Sequence, residues 1–332
     1  MPGRVEVVTF ESRLLEGNPL GDSPRRQVPV YLPAGLEKAG AGRVPVLYAL
    51  AGFTGSGLSY LNYDFYQPSL PQRLDRMIES GRMPPAVVVM VDGMTRLGGN
   101  QYIDSSAVGP WARHVCEELV PWVERTYPVL PGRAHRGVFG KSSGGYGALM
   151  MGLEHADTFA GVVSHSGDAY FEYCYGVHFP TTVDTLRAVG GLTPYLERLH
   201  SHPKLPRAWG DALIIVAQAA FFSPNPAAPH GFDLPFDLET GERREDVVAR
   251  WRERDPVWLV ERHAAALRSL RLLWFDCGTR DEWHLHHGTR MLARRLRAAG
   301  VPHVHEEFDD DHKQVGYRHE ASLPVLARAL LP

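Results

Sequence analysis

The residues best suited to nucleophilic chemistry lie in a glycine-rich stretch near the middle of the chain. There Ser142 stands between Gly140 and Gly144 in the pattern G-x-S-x-G, after an apolar run at 136–139 and before a helical pattern at 144–155. In this pattern a sharp turn from strand to helix holds the serine hydroxyl at its tip. The turn is strained and neighbouring strands approach it closely, so the flanking positions leave no room for a Cβ atom. The stretch predicts a nucleophile; the alternative is a glycine-rich turn with an idle serine.

Two adjacent serines compete for this role. Ser142 has a glycine two positions before it and another two positions after it, whereas Ser143 has Lys141 two positions before it. A long side chain at that place would not fit the tight turn, and we therefore expect Ser142 to be the nucleophile. Ser143 would then contribute its backbone N–H to an oxyanion hole, a role that needs no particular side chain.

A nucleophilic serine also needs an acid that orients its histidine base, and the expected chain order is Ser, then Asp or Glu, then His. Three acidic residues, Asp276, Asp281 and Glu282, follow a predicted strand at 270–275. Asp281 lies past the turn at Gly278, where the loop can fold back across the sheet, and we expect it to be the acid. Asp276 is the main alternative, although at a strand end its side chain could simply cap a turn.

The candidate base is His312. It follows the last predicted strand, 303–308, directly after three aspartates at 309–311. The alternative is a surface histidine beside an acidic run. A general base must be neutral, so we expect activity to fall in acid as His312 becomes protonated.

The second oxyanion donor should come from the loop after the third strand. The backbone N–H of Phe53, which follows the apolar run 44–51, is our candidate. Two polar stretches, 98–102 and 104–106, precede the helical pattern at 111–127. They either line the pocket or form turns, and the sequence favours neither.

Strand and helix patterns alternate along the chain, which predicts an α/β fold with a mostly parallel sheet and helices on both faces. The strand patterns lie at 5–10, 27–32, 44–51, 86–91, 137–139, 161–164, 270–275 and 303–308. The first two alternate in polarity and predict an antiparallel entry to the sheet. The next two are continuously apolar, as in strands that are covered on both faces.

One segment, 168–255, interrupts this alternation and is rich in proline, aromatic residues and histidine. A loop of that length without structure would be unusual, and 209–222 has a helical pattern. We expect a cap or lid over the active site inside a single domain that spans 1–332. The alternative is a peripheral decoration.

Composition narrows the remaining possibilities. The net charge of −3 gives no electrostatic reason to expect nucleic acid. The three cysteines lie far apart, and His284, His286 and His287 do not match a recurrent ligand spacing, so we expect no disulfide framework and no metal site. The N-terminal residues have no apolar signal region and no run is long enough to span a bilayer, so we expect a soluble, cytoplasmic protein.

The motifs together resemble a known family. The stretch 50–55, the serine turn at 140–145, the loop 278–281 and the terminal pair Asp311–His312 are similar to the putative-esterase branch of the α/β-hydrolases, over about residues 25–330. That branch includes esterase D, feruloyl and enterochelin esterases and mycolyltransferase domains. The resemblance implies a serine hydrolase that uses Ser142, Asp281 and His312 without metal or organic cofactor.

Two departures accompany the resemblance. Relatives usually carry His-Gly where this chain has Ala51–Gly52, and the segment 168–255 is unlike the compact esterase D pattern. We therefore expect a carboxylic-ester hydrolase acting on a small-molecule ester of unknown identity. The alternatives are an acyltransferase of the same fold and, less in keeping with an intact Ser-Asp-His set, a non-catalytic binding protein. The sequence gives no indication of oligomeric state.

Overall fold

An eight-stranded sheet runs through the centre of the protein in the computed structural model, which describes residues 2–36 and 42–332. Its strands are β1 (Arg4–Glu11), β2 (Arg25–Leu32), β3 (Val46–Leu50), β4 (Val87–Val91), β5 (Arg136–Lys141), β6 (Gly161–His165), β7 (Leu272–Gly278) and β8 (Val304–Phe308). Their spatial order is β1-β2-β4-β3-β5-β6-β7-β8. The pairs β1–β2 and β2–β4 are antiparallel and the remaining pairs are parallel. The predicted mostly parallel sheet with an antiparallel entry is confirmed.

The central strands are apolar on both faces because each face is covered by helices. Along β3, Val46, Tyr48 and Leu50 pack into one hydrophobic core, whereas Leu47 and Ala49 pack into another. Successive side chains of a strand point to opposite faces, so a strand between two helical layers needs apolar residues at every position. This requirement explains the uninterrupted apolar runs in the sequence.

Helices on both faces complete the two cores. The longer ones are α1 (Leu70–Glu79), α2 (Ser143–Glu154), α3 (Phe179–Ala188), α4 (Leu192–Leu199), α5 (Arg207–Phe222), α6 (Glu245–Arg252), α7 (Leu285–Ala298) and α8 (His319–Ala329). Short helices lie at Phe171–Cys174, Pro256–Leu259 and Ala264–Arg268. Helices α1 and α8 pack on one face of the sheet, and α2 packs on the other. Within the described ranges, no helix is long and apolar enough to cross a membrane.

The helix predicted at 111–127 forms with an irregular middle. It consists of Trp111–Arg113, a π-helical stretch His114–Leu119, and Val120–Thr126. Pro121 has no N–H and cannot donate the bond that a regular α-helix requires at its position. The N–H of Val120 instead reaches back five residues to the carbonyl of Val115, which is the π-helical pattern.

Between β6 and β7 the chain leaves the sheet and forms α3 to α6. Aromatic side chains attach this segment to α2. Tyr146 of α2 lies 5.9 Å from Phe171 and 5.6 Å from Phe222 between ring centroids, and those two rings stack on each other at 4.7 Å. The Tyr146 hydroxyl also donates to the carbonyl of Arg254 at 2.9 Å. The segment is therefore packed against the helix that begins beside Ser142.

The start of α2 lies against the end of β3, and this contact depends on Gly144. A Cβ atom there would overlap the carbonyl oxygen of Leu50, a backbone atom that cannot turn aside. We predict that Gly144→Ala lowers the free energy of unfolding by about 1–3 kcal/mol, as overpacking does, despite the higher helix propensity of alanine. Chemical denaturation measures the change.

Gly210→Ala in α5 is the matched control. A Cβ atom at Gly210 would meet the Leu205 side chain at an ordinary 3.8 Å, so this variant should keep its stability or gain up to about 1 kcal/mol. Equal stability of the two variants would contradict the close approach of α2 to β3.

Candidate active site

Ser142 joins β5 to α2 in a backbone conformation that side-chain-bearing residues rarely adopt. Its φ is 58° and its ψ is −128°. Its N–H donates to the carbonyl of His165 on β6 at 2.9 Å, and its carbonyl accepts from the N–H of Tyr146 at 2.8 Å. A Cβ atom at Gly140 would overlap the carbonyl of Gly144, which explains the glycine before the serine. The glycine pattern thus forms the sharp turn expected from the sequence.

The structure brings Ser142, His312 and Asp281 into one hydrogen-bonded row. Ser142 Oγ lies 3.0 Å from His312 Nε2, and His312 Nδ1 lies 2.8 Å from Asp281 Oδ2. A proton on Nδ1 facing the carboxylate leaves the Nε2 lone pair free to accept from the serine hydroxyl. The row has the atoms and the order that proton abstraction from a serine requires.

Asp281 is held as a carboxylate although it is only 2% exposed. Burial by itself raises the pKa of Asp281, but the hydrogen bond and charge of His312, together with the N–H of Trp283 on Oδ1 at 2.9 Å, bring that pKa below its ordinary value. The loop of His312 is fixed as well, because its backbone N–H donates to Glu282 Oε2 at 2.8 Å. Glu282, the third acidic residue, therefore bonds to the backbone of this loop.

Asp276, the alternative acid, has different partners. Its Oδ1 lies 2.7 Å from His165 Nδ1 and its Oδ2 accepts from Arg318 Nε at 2.9 Å. His165 Nε2 lies 2.9 Å from Ser322 Oγ, which completes a second Ser-His-Asp row. Its three members are at most 1% exposed, and none of them lines the cavity in front of Ser142. This row connects β6 and β7 to α8 below the serine turn.

The two candidate oxyanion donors line the same cavity. Within residues 2–36 and 42–332, neither the Phe53 N–H nor the Ser143 N–H has a hydrogen-bond acceptor. A Cβ atom at Gly52 would lie 2.9 Å from the carbonyl of Lys141, so this glycine lets the loop after β3 approach the serine turn. Two unpaired amides beside Ser142 are available for a developing negative charge.

The polar stretch 98–102 supports these donors and does not line the cavity in front of Ser142. The Thr54 N–H donates to the carbonyl of Gly98, and the Tyr102 hydroxyl donates to the carbonyl of Ala51 at 2.9 Å. The Tyr102 hydroxyl therefore supplies part of the support for this loop. Gln101 Nε2 donates to Ser143 Oγ at 2.9 Å.

The second polar stretch, 104–106, has a turn and capping role. The Asp104 carboxylate accepts from the N–H groups of Ala112 and Arg113, at the start of the irregular helix. Ser105 Oγ donates to the carbonyl of Ala220 in α5. Of the two uses that the sequence allowed for these residues, turn formation is the one observed.

A cavity of about 350 Å³ lies in front of Ser142. Residues between β6 and β7 form one wall of it: Asp168, Cys174, Tyr175, Ile214 and Gln218. A second cavity of about 470 Å³ lies on the other side of the loop after β3, and both cavities are lined by 52–54 and Lys141. Burial lowers the pKa of the Lys141 ammonium. The two cavities thus adjoin each other, and Ser142 and His312 line the first of them.

The sequence did not single out two polar residues of the first cavity, Asp168 and Gln218, as site residues. Asp168 comes shortly after β6, at the carboxyl end of a parallel strand, where ligands of open α/β sheets bind. Its position in the sequence could therefore have predicted a place in the site. Gln218 lies on a buried face of α5, and no sequence pattern pointed to it. Over the described parts of the chain, no three His, Cys, Asp or Glu side chains are grouped so as to hold a metal ion.

The strand order and the serine turn between β5 and α2 define an α/β-hydrolase. The chain belongs to the family described as "Putative esterase", whose profile matches residues 23–324. The family resemblance stated from the sequence is thereby confirmed.

Individual relatives agree with this placement. Esterase Rv1288 of Mycobacterium tuberculosis (strain ATCC 25618 / H37Rv) is 34% identical over 158 residues, which are 46% of this chain and 32% of that protein. This chain therefore covers about a third of that relative's length. A ferulic acid esterase structure has a TM-score of 0.64 at 21% identity, with 99% of this chain and 98% of that one covered. An S-formylglutathione hydrolase of Staphylococcus aureus has a TM-score of 0.60 at 14% identity, with both chains fully covered. These two structures are similar in fold.

The buried row around Asp276 generates a prediction on stability. Burial by itself raises the pKa of Asp276, but His165 and Arg318 together hold it below its ordinary value. The folded state therefore binds this proton more weakly than the unfolded state. The stabilisation is complete above the unfolded-state pKa of about 4 and is lost as the pH falls through the lower folded-state pKa.

We predict that Asp276→Asn lowers the free energy of unfolding at neutral pH by about 3–5 kcal/mol, because it leaves buried partners unpaired. The difference from wild type should shrink as the pH falls below about 4. Asp309→Asn is the control, since Asp309 pairs with Arg280 at the surface and such pairs contribute at most about 1 kcal/mol. A difference for Asp276→Asn that stays constant down to acidic pH would contradict this assignment.

Proposed function

We propose that this protein hydrolyses carboxylic esters through an acyl-enzyme on Ser142, with His312 as the base and Asp281 as the acid that orients it. The observation that carries the proposal is the row from Ser142 Oγ to His312 Nε2 at 3.0 Å and from His312 Nδ1 to Asp281 Oδ2 at 2.8 Å. Membership of the esterase family supports the reaction class. The unpaired N–H groups of Phe53 and Ser143 support the choice of oxyanion donors.

In the proposed reaction, His312 Nε2 takes the hydroxyl proton while Ser142 Oγ attacks the ester carbonyl. The N–H groups of Phe53 and Ser143 then bind the oxyanion of the tetrahedral intermediate. The imidazolium, held by the Asp281 carboxylate, returns its proton to the departing alkoxide. A water molecule activated by the neutral imidazole repeats the sequence on the acyl-enzyme and releases the acid.

We further propose that 168–255 acts as a cap within a single domain. The support for this role is that residues of the segment, from Asp168 to Gln218, line the cavity in front of Ser142. Its aromatic cluster packs on Tyr146 of α2, so the cap is anchored to the helix that carries Ser143. A cap in this place would select the group that enters the cavity. The expected partner is a small-molecule ester.

The nucleophile is tested by labelling with a fluorophosphonate. Wild-type protein should be labelled, and Ser142→Ala should lose both the label and ester hydrolysis. Ser143→Ala is the matched control: it removes only the side-chain bonds to Gln101 and Asp168, keeps the backbone N–H, and should still be labelled at Ser142. An unlabelled wild type, or a label that persists in Ser142→Ala, would contradict the proposal.

The orienting acid is tested by comparing Asp281→Asn with Asp276→Asn. Asparagine at 281 cannot hold the imidazole in the required tautomer or stabilise its cation, so we expect kcat to fall by about 10⁴-fold. Asp276→Asn should lose stability but retain most of the turnover of its folded fraction. Steady-state kinetics on folded protein decide the matter, and the opposite ranking would show that Asp276 is the acid.

A further inference from the structure

The cavity in front of Ser142 has one unusual wall residue, Gln218. Gln218 is 1% exposed, and its Oε1 is buried without a hydrogen-bond partner among the described residues. A buried amide that is left unpaired is costly, and almost all such groups in folded proteins have partners. Because Gln218 belongs to the lining of the cavity in front of Ser142, we take a ligand bound in that cavity as the missing partner of this amide.

A second hydrogen-bonding group in the same wall is the carboxyl of Asp168. Its Oδ2 accepts from the Tyr175 hydroxyl at 2.6 Å and from Ser143 Oγ at 3.3 Å. Asp168 has no cationic partner within salt-bridge distance among residues 2–36 and 42–332. These two bonds fix the carboxyl group, and Oδ1 is left available to accept a further hydrogen bond.

Besides the hydroxyl-bearing residues of the lining and the His312 imidazole, the other groups around the cavity are apolar or positively charged. Phe53, Cys174, Ile214 and Trp283 supply apolar surface, and two lysines, Lys141 and Lys313, lie at its margin. A ligand ammonium would be repelled by the positive charges of both lysines. The only carboxyl in the lining that could offset this repulsion is that of Asp168, and burial raises its pKa, which disfavours its charged form. An uncharged hydroxyl avoids this repulsion, and it can pair with either end of an amide and with a carboxyl oxygen.

We propose that Gln218 and Asp168 recognise a hydroxyl group of the ester, so that this enzyme prefers esters with an apolar body and a hydroxyl at the end that fills this cavity. The inference rests on the proposed function, because it assumes that the ester reacts at Ser142. It adds a substrate class and two specificity-determining residues to that function. Both belong to the segment proposed as the cap.

The test compares esters that differ by one hydroxyl. One series consists of p-nitrophenyl esters of short straight-chain acids with and without a terminal hydroxyl. The other consists of acetate esters of the corresponding diols and simple alcohols, and it covers the case in which the alcohol half fills the cavity. We expect wild type to favour the hydroxylated member of one series by about 10- to 100-fold in kcat/KM, the effect of leaving buried polar groups unpaired.

Gln218→Leu is the decisive variant. It replaces an unpaired amide by an apolar group of similar size, which a buried site tolerates, and it should reduce the preference to about 2-fold or less as the hydroxyl loses its partner. Asp168→Asn should also reduce it. Ile214→Val is the matched control: Ile214 lies one turn earlier on α5 and lines the same cavity, so this variant should change kcat/KM for both members of a pair alike.

The outcomes separate the two proposals. If wild type is labelled by a fluorophosphonate but shows no hydroxyl preference in either series, or if Gln218→Leu keeps the preference, this inference is wrong and the proposed function stands. If wild type is not labelled, the proposed function itself fails. A preference that is lost in Gln218→Leu and kept in Ile214→Val, with Ser142 still labelled in both, supports the inference.

Discussion

The site depends on one strained residue, Ser142, whose φ of 58° points its side chain away from the regular course of β5 and α2. Such a conformation costs about 1–3 kcal/mol and persists only where the surroundings enforce it. Here the end of β6 accepts the Ser142 N–H, and the end of β3 leaves no room for a side chain at Gly144. Three neighbouring parallel strands thus enforce the position of a single hydroxyl.

The same sheet edge explains how distant residues converge on that hydroxyl. The strands β3, β5, β7 and β8 are parallel and end at one edge, so the loops that follow them carry Phe53, Ser142, Asp281 and His312 to the same place. The bond from the His312 N–H to Glu282 then joins two of these loops directly. The convergence of these candidate residues is therefore a consequence of strand direction.

The two aspartates after β7 illustrate how much of this could be predicted. Trp274 and Asp276 are two residues apart on a strand and share a face, the one covered by α1 and α8, where Trp274 packs. Asp276 is thereby directed towards Arg318 and His165, whereas Asp281 lies beyond the strand and can reach His312. The alternation of side chains along β7 separates these two candidates only once the face that carries Trp274 is known, and the sequence does not give that face.

Other features could not be predicted because they depend on where a side chain points within a long connection. The fold class, the serine turn and the chain order of the candidate residues follow from local patterns with a fixed period or spacing. The contact of Gln101 with Ser143 depends instead on how the stretch 98–102 packs against α2. The position of Gln218 depends on how α5 packs against α2. The π-helical stretch before Pro121 could be predicted in part. Proline predicts the loss of one helical hydrogen bond, but the sequence does not indicate how the helix rearranges around that loss.

Hydrogen-bond satisfaction distinguishes groups that hold the site together from groups that meet a substrate. His165 forms hydrogen bonds with both Asp276 and Ser322, and at most 1% of each residue is exposed. Their contribution is therefore to stability. Among residues 2–36 and 42–332, the N–H groups of Phe53 and Ser143 and the Oε1 atom of Gln218 have no hydrogen-bond partner, and these three residues line the cavity. Unpaired groups of this kind lower the stability of the free protein. A bound ester would pair with them, its carbonyl oxygen with the two N–H groups and its hydroxyl with the Gln218 amide.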